Sequence, residues 1–502
     1  MNPRIAGVAA AAALLLNTAC TVGPRYTRPT TPMTPTFKEL PPGNDQWKAS
    51  TPRDGEIKGK WWEIFNDPQL NALEESVEIS NQNVKLAEAN FRAARAAIAL
   101  NRAGYYPTIG VTTSTSLAES GGAARATTAT NGRIVGTGIT QLPSISFGAT
   151  WEPDLWGRVR LSVENATETT QALAGDVQSA RLSYQATLAM DYYLLLSTDM
   201  QLKLLDDTIE AYSKALTLTL NRYQGGVASQ ADVAQARTQL ETTRAERTDL
   251  DVARAQYEHA IAVLTGQPPA NLSIPHGSIT GPPPPIPVGL PSQLLERRPD
   301  IASAERRVAA ANAEIGLAET AYYPTLTISA SAGLQSQSWS NLFTWPARFW
   351  SVGPSLSQTL FDFGKRRAQV QQTEATYDAA VANYRQSVLM ALQEVEDNLN
   401  ALHVLAVEAA QQDVAVREAE RSVELELARY KGGTDSYLNV ITTQTIALND
   451  ERTAVTIRQR QMVAAVNLIS ALGGGWNASL LPNPDQLRQT NASPVTTTSG
   501  SK

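Results

Sequence analysis

Asp232 and Asp435 are the residues whose type and position most invite a chemical role. Each lies shortly after a glycine pair, Gly225-Gly226 and Gly432-Gly433. If several copies of the chain met on an axis, each aspartate would form an acidic ring. Such a ring selects cations, binds metal ions or pairs with arginine. The competing reading is a helix N-cap or first-turn acid, favoured by the helix dipole. The glycine pairs read as the tips of helical hairpins, since glycine reaches φ > 0 freely and ends helices. Other chemistry is sparse. His259, His276 and His403 are far apart, and no two have metal-ligand spacing. Glu394 with Glu396, and Glu424 with Glu426, sit in charged helical runs and read as solvated surface. There is no phosphate-binding loop, nucleophile elbow or zinc-protease helix. No catalysis, cofactor or metal is expected.

The elements that carry the two tips are duplicated. Tyr105-Tyr106-Pro107-Thr108 returns as Tyr322-Tyr323-Pro324-Thr325, 217 positions on. Arg222-Tyr223-Gln224-Gly225-Gly226 returns as Arg429-Tyr430-Lys431-Gly432-Gly433, 207 positions on. Trp156-Gly157-Arg158 returns as Phe363-Gly364-Lys365 at the same 207 spacing. A unit of about 200 residues is therefore repeated, with a loop about ten residues longer in the first copy. Repeat one spans 61–264 and repeat two 292–476, joined by a Pro-rich linker, 265–291. Residues 477–502 read as a disordered tail and 20–60 as an extended, poorly structured lead-in. Residues 1–19 read as a secretory signal, with Arg4 before the apolar run Ile5 to Leu16. Cys20, the only cysteine, follows it, so disulfides within the chain are impossible. After Leu-Asn-Thr-Ala it resembles a bacterial lipoprotein box, although Asn17 stands where an aliphatic residue is usual. Net charge is −6 with no like-charge block, which weighs against a nucleic-acid surface.

Within each repeat the hydrophobic period switches. Spacings of three and four predict a helix from about Gln69 to Arg102. Alternation follows in two hairpins, about 105–153 and 322–361, with Thr113 and Thr115 sharing the apolar parity of the first strand. Ile109, Val111 and Leu117 alternate with Thr108, Gly110, Thr112, Ser114 and Ser116. Leu326, Ile328, Ala330 and Leu334 alternate with Thr325, Thr327, Ser329, Ser331 and Gly333. The polar parity carries almost no charge, as a wet lumen lining would. Aromatics at the strand ends suit a membrane girdle: Tyr105, Tyr106, Trp151, Trp156, Tyr322, Tyr323, Phe349, Trp350, Phe361 and Phe363. From about Arg158 to Tyr223, and from Arg366 to Tyr430, proline is absent and Gly175 is the one glycine. Helices of about 65 residues would run on the order of 100 Å, too long and too polar for membrane spans. Antiparallel partners return over about Gln230–Leu264 and Tyr437–Leu472.

Four strands cannot close a barrel, and open edges are not tolerated in lipid. The chain must therefore oligomerise, and three copies would give twelve strands around a water-filled passage. These features resemble the outer-membrane efflux proteins of the TolC type, closest to the lipoprotein branch serving RND drug-efflux pumps. The most specific segment is Gly-Leu-Pro-Ser-Gln-Leu-Leu-Glu-Arg-Arg-Pro-Asp, residues 289–300, followed by Ala304-Glu305. The resemblance covers about Trp61 to Trp476. It implies an α+β membrane protein, a homotrimeric duct with a twelve-stranded β-barrel in the outer-membrane lipid of a Gram-negative bacterium. A long α-helical barrel would continue it through the periplasm. It also implies a periplasmic adaptor and an inner-membrane RND-type pump as partners, lipidation of Cys20, and tips at Gly225, Gly226, Gly432 and Gly433 that meet them. Family members often carry paired aspartates after the second tip. Asn439 and Thr442 occupy those positions here, and Asp435 matches what the lipoprotein branch tends to have instead, so Asp232 and Asp435 are the aperture candidates.

The function expected is passive export of drugs or other small amphipathic compounds. A duct for protein or peptide secretion, and a non-channel periplasmic coiled-coil lipoprotein, are the alternatives. The second leaves the four uncharged alternating strands unexplained.

Overall fold

The computed structural model describes residues 22–39, 59–119, 139–289 and 291–488. The expected signal and Cys20 lie outside them, as do residues 489–502 of the tail. The two repeats are built alike. In the first, helices α1 (Pro68–Ser80) and α2 (Gln82–Arg102) lead to strands β1 (Thr108–Glu119) and β2 (Ile139–Trp151). Helices α3 (Arg158–Gln224) and α4 (Gln230–Leu264) follow. In the second, α5 (Pro299–Thr320) leads to β3 (Thr325–Gln335) and β4 (Arg348–Ser357), then to α6 (Lys365–Lys431) and α7 (Tyr437–Ala471). Helices α3 and α6 have 67 residues each, about 100 Å at ~1.5 Å per residue. Both start after a left-handed glycine, Gly157 (φ 80°) and Gly364 (φ 88°). Upstream aspartates cap them: Asp154 accepts from the N–H groups of Val159 and Arg160 at 2.9 Å, and Asp362 from those of Gly364 and Arg366 at 3.1 and 3.2 Å. Gly175 lets α3 approach α5, where a Cβ would stand 3.0 Å from the Pro299 carbonyl. Among the described residues no helix is long and apolar enough to cross a membrane.

Two expectations need correction. The single helix expected over 69–102 is broken at Asn81 (φ −60°, ψ 123°). The buried Asn81 side chain accepts from the N–H of Asn83 (2.9 Å) and Val84 (3.2 Å) and donates to the Leu264 carbonyl (2.8 Å). It thus stops one helix, caps the next and ties both to the end of α4.

The lead-in is not loose over residues 22–39. It is an extended strap laid along α5 and α6. Gly23 lies against Gly316 so closely that a Cβ on Gly23 would stand 2.5 Å from the Gly316 Cα. Asn312 donates to the Pro24 carbonyl (3.0 Å), Tyr26 donates to Glu305, and Arg28 donates to the Tyr384 hydroxyl (3.2 Å). Glu396 accepts from the backbone N–H of Lys38 and Glu39 at 2.7 and 3.0 Å. Phe37 is buried in the main core.

The linker is pinned as well as extended, because Ile274, Ile279 and Ile286 bury in that same core. Asp199, 1% exposed, receives Arg254 Nε (2.7 Å), His276 Nδ1 (2.7 Å) and the Gly277 N–H (3.0 Å). His276 therefore joins the linker to α3.

Candidate functional site

The four strands form one antiparallel sheet in the order β1-β2-β3-β4, with β1 and β4 at its two edges. Register pairs Val111 with Phe147, Phe147 with Ala332, and Ala332 with Trp350. The same parity holds Ile109, Leu117, Ile145, Ala149, Trp151, Ile328, Val352 and Leu356. The other parity holds Thr112, Ser146, Gly333, and their neighbours Ser114, Ser144, Ser331 and Ser351. Ser114 bonds Ser144 and Ser331 bonds Ser351, each at 2.8 Å. One face is thus apolar yet bare, with Ile109 at 72%, Val352 at 66% and Trp350 at 79% exposure. A soluble protein does not leave such a face to water, and a continuous bare apolar face marks an interaction with lipid or another apolar surface. Strands of 10 to 13 residues match the ~9–11 residues that a tilted strand needs to cross a bilayer.

The aromatic candidates fall at two levels. Tyr105, Tyr106, Trp151, Tyr322, Tyr323, Phe361 and Phe363 are exposed where the sheet meets the helices. Trp156 is partly buried there, stacked on Tyr323 at 4.9 Å and donating to the Pro324 carbonyl at 2.7 Å. Trp350 stands at the opposite end on the apolar face. Phe349 does not share that face: it has the serine–threonine parity and sits across from Gly333. Sequence reading missed Trp339, Phe343 and Trp345 in the β3–β4 turn, all exposed at the far end. Arg348 lies over the Trp345 ring at 3.7 Å. The density of aromatics from 339 to 350 was the available signal.

About 100 Å away along α3 and α6 lie the two tips. Gly226 (φ 75°) and Gly433 (φ 77°) take the left-handed conformation, whereas Gly225 (φ −77°) and Gly432 (φ −71°) do not. Each tip closes in the same way, Val227 N–H to Arg222 carbonyl (2.8 Å) and Thr434 N–H to Arg429 carbonyl (3.1 Å). The two aspartates then part company. Asp232 forms a capping box with Ser229 at the start of α4. Asp435 accepts from the Ser436 N–H (2.7 Å), from Asn439 (2.7 Å) and from Arg429 (3.0 Å). The Ser436 N–H above all, helped by Asn439 and Arg429, holds its carboxyl below the usual range. Arg429 also reaches Glu426 at 2.7 Å. Arg222, the repeat equivalent of Arg429, points elsewhere. It donates to the Tyr430 and Lys431 carbonyls at 2.9 and 3.2 Å and lies over the Tyr430 ring at 4.7 Å. Tyr430 and Tyr437, 5.2 Å apart, join Ala215, Ala236 and Val440 in a small core that binds the two tips together. Behind it a groove of about 490 Å³ opens between α4 and α7, with Thr238, Thr242, Ile441 and Leu448 among its walls.

A two-faced sheet with open edges, joined to paired helices that project far from it, is channel architecture. Known proteins bear this out. The outer membrane efflux protein family model matches residues 73–267 and 290–474, one match per repeat. The chain is 30% identical to the probable efflux pump outer membrane protein TtgC of Pseudomonas putida, over 91% of this chain and 93% of TtgC. It is 28% identical to the pyoverdine export outer membrane protein OpmQ of Pseudomonas aeruginosa, over 86% of this chain and 91% of OpmQ. The solved outer-membrane channel OprN has a TM-score of 0.80 at 29% identity, covering 91% of this chain and 100% of OprN. For VceC of Vibrio cholerae the TM-score is 0.75 at 26% identity, with 84% and 99% covered. The chain belongs to the outer membrane efflux protein family, as the outer-membrane channel component of an efflux system.

Proposed function

We propose that this protein is the passive exit duct of a tripartite pump for drugs or other small amphipathic compounds. Three copies close a barrel through their β1 and β4 edges, and their long helices continue the passage through the periplasm. The observation that carries this reading is the sheet, apolar on one face, lined by Ser, Thr and Gly on the other, and open at both edges. Lipid tolerates no open edge, and a lining without charge admits varied solutes. Residues Leu389, Met390, Val404, Val407 and Val414 of α6 stay about half exposed in the single chain, as a helix awaiting neighbours would leave them. Relatives bear names that cite toluene, antibiotic and pyoverdine export, which fits a permissive duct whose pump selects the cargo. The tips, with Gly225, Gly226, Gly432 and Gly433, would meet a periplasmic adaptor and an RND-type inner-membrane pump. Asp435, by holding Arg429, would help keep the aperture closed. Cys20 would be acylated, a reading supported by the strap, which holds Gly23 against Gly316 of α5, the helix that leads into β3. The chain would do no catalysis, the pump supplying the energy.

The test compares accumulation of an amphipathic dye in a deletion strain and a complemented strain, with secreted proteins profiled in parallel. Raised retention with an unchanged secretome is expected. Normal retention with a missing secreted protein would replace this reading with secretion.

A further inference from the structure

The internal duplication makes the tip contact half of a pattern. Arg222 of the first repeat lies over Tyr430 of the second and bonds the last carbonyls of α6. The repeat equivalents of Arg222 and Tyr430, 207 positions away in each direction, are Arg429 and Tyr223. Within one chain these two have no such contact with each other. Tyr223 is 44% exposed, whereas Tyr430 is 4% exposed, although both close the same helix-ending turn. The Arg429 side chain stays 57% exposed while Glu426 and Asp435 engage its guanidinium nitrogens from their own hairpin. In the first repeat the positions matching those acids are Thr219 and Ala228, so Arg222 has no carboxylate of its own there and reaches across instead.

We propose that Arg429 stacks on Tyr223 of an adjoining copy of this chain, repeating between subunits the clasp that Arg222 and Tyr430 make within one. A guanidinium whose edge is held by two carboxylates still offers its face to a ring, and a cation over tyrosine is attractive. The carbonyl end of α3 beside Tyr223 carries the negative pole of a long helix, which favours the same cation. Six hairpins would then alternate around the inner end of the duct, with three clasps inside chains and three between them. Glu426 and Asp435 act as positioning residues for the second set. This rests on the threefold assembly proposed above.

Cysteine pairs test it, since Cys20 is the only native cysteine and alanine replaces it in a control background. Trimers in membranes carrying Tyr223→Cys with Arg429→Cys are treated with a short bismaleimide. Covalent dimers and trimers on denaturing gels are expected, and unlinked monomer from either single variant. The pair Arg222→Cys with Tyr430→Cys should give only an internally linked monomer. Unlinked chains from a preparation that still runs as a trimer when unheated would overturn the clasp. Absence of that unheated trimer from the native protein would instead remove the assembly on which it rests. In cells, Tyr223→Ala and Arg429→Ala should each raise vancomycin entry several-fold, with no further rise in the double variant. Additive effects, or none, would count against a shared contact.

Discussion

Gly226 and Gly225 separate two roles that a glycine pair merges on paper. Of the four tip glycines, Gly226 and Gly433 alone sit at positive φ, where a Cβ costs ~1–2 kcal/mol. Gly226→Ala should therefore lower stability by about 1 kcal/mol, and Gly225→Ala by much less, in thermal unfolding of the detergent-solubilised protein. Glu74 of α1 is the other residue whose environment decides its behaviour. Its side chain is fully buried and neither carboxyl oxygen has a partner. Desolvation holds its pKa well above the usual carboxylate range, so the fold takes the neutral acid. In the unfolded chain the group ionises near ~4.3. The stability it contributes is complete below that pH and drains away as pH rises through the window to its folded pKa. Glu74→Gln, neutral throughout, should gain on the native protein by at most about 1.4 kcal/mol per pH unit across that window. Melting curves at pH 5 and pH 8 measure the gain, and an equal shift at both would contradict the assignment.

At the level of elements, the linker clasp is the clearest stake. Removing Arg254 leaves Asp199 buried with only His276 and a backbone N–H for company. Arg254→Ala should cost about 3 kcal/mol, the range for breaking a buried pair from one side, and should open residues 265–289 to limited proteolysis. The long helices, their returns and both hairpins were readable because each follows one period without interruption. Asn81, which breaks the first helix, was not readable, because its caps and its bond to Leu264 depend on a tertiary partner 183 positions away. The strap was misjudged for the same reason: proline-rich composition predicts extension, and only Glu305, Tyr384 and Glu396 show what the extended chain lies against. At the tips the glycines were evident, but the differing partners of Arg222 and Arg429 were not, since the carboxylates that hold Arg429, Glu426 and Asp435, flank the repeated motif instead of lying in it.

For the whole molecule, the sheet turns two adjacent residues into opposite predictions. Val111 lies on the apolar face and Thr112 on the serine–threonine face. Val111→Arg places a charge in lipid, at ~2–4 kcal/mol near the midplane, and should reduce the heat-modifiable species in outer membranes. Thr112→Arg should assemble normally and reduce single-channel conductance. If both variants assembled equally, the assignment of faces would fail.

The strap has a further consequence for how three chains find one another. Its hydrogen bonds run from Pro24 beside α5 to Glu39 beside α6, so the first described residues sit near the foot of the sheet rather than at the tips. With Cys20 acylated, as proposed, each newly folded chain is tethered to the bilayer with its strands already facing the lipid. Encounter then takes place in a plane instead of a volume, between partners that share one orientation, and a tether of that kind raises effective concentration without adding any contact. Cys20→Ala should accordingly slow trimer assembly in a manner that higher expression overcomes, while the conductance of the trimers that do form stays unchanged.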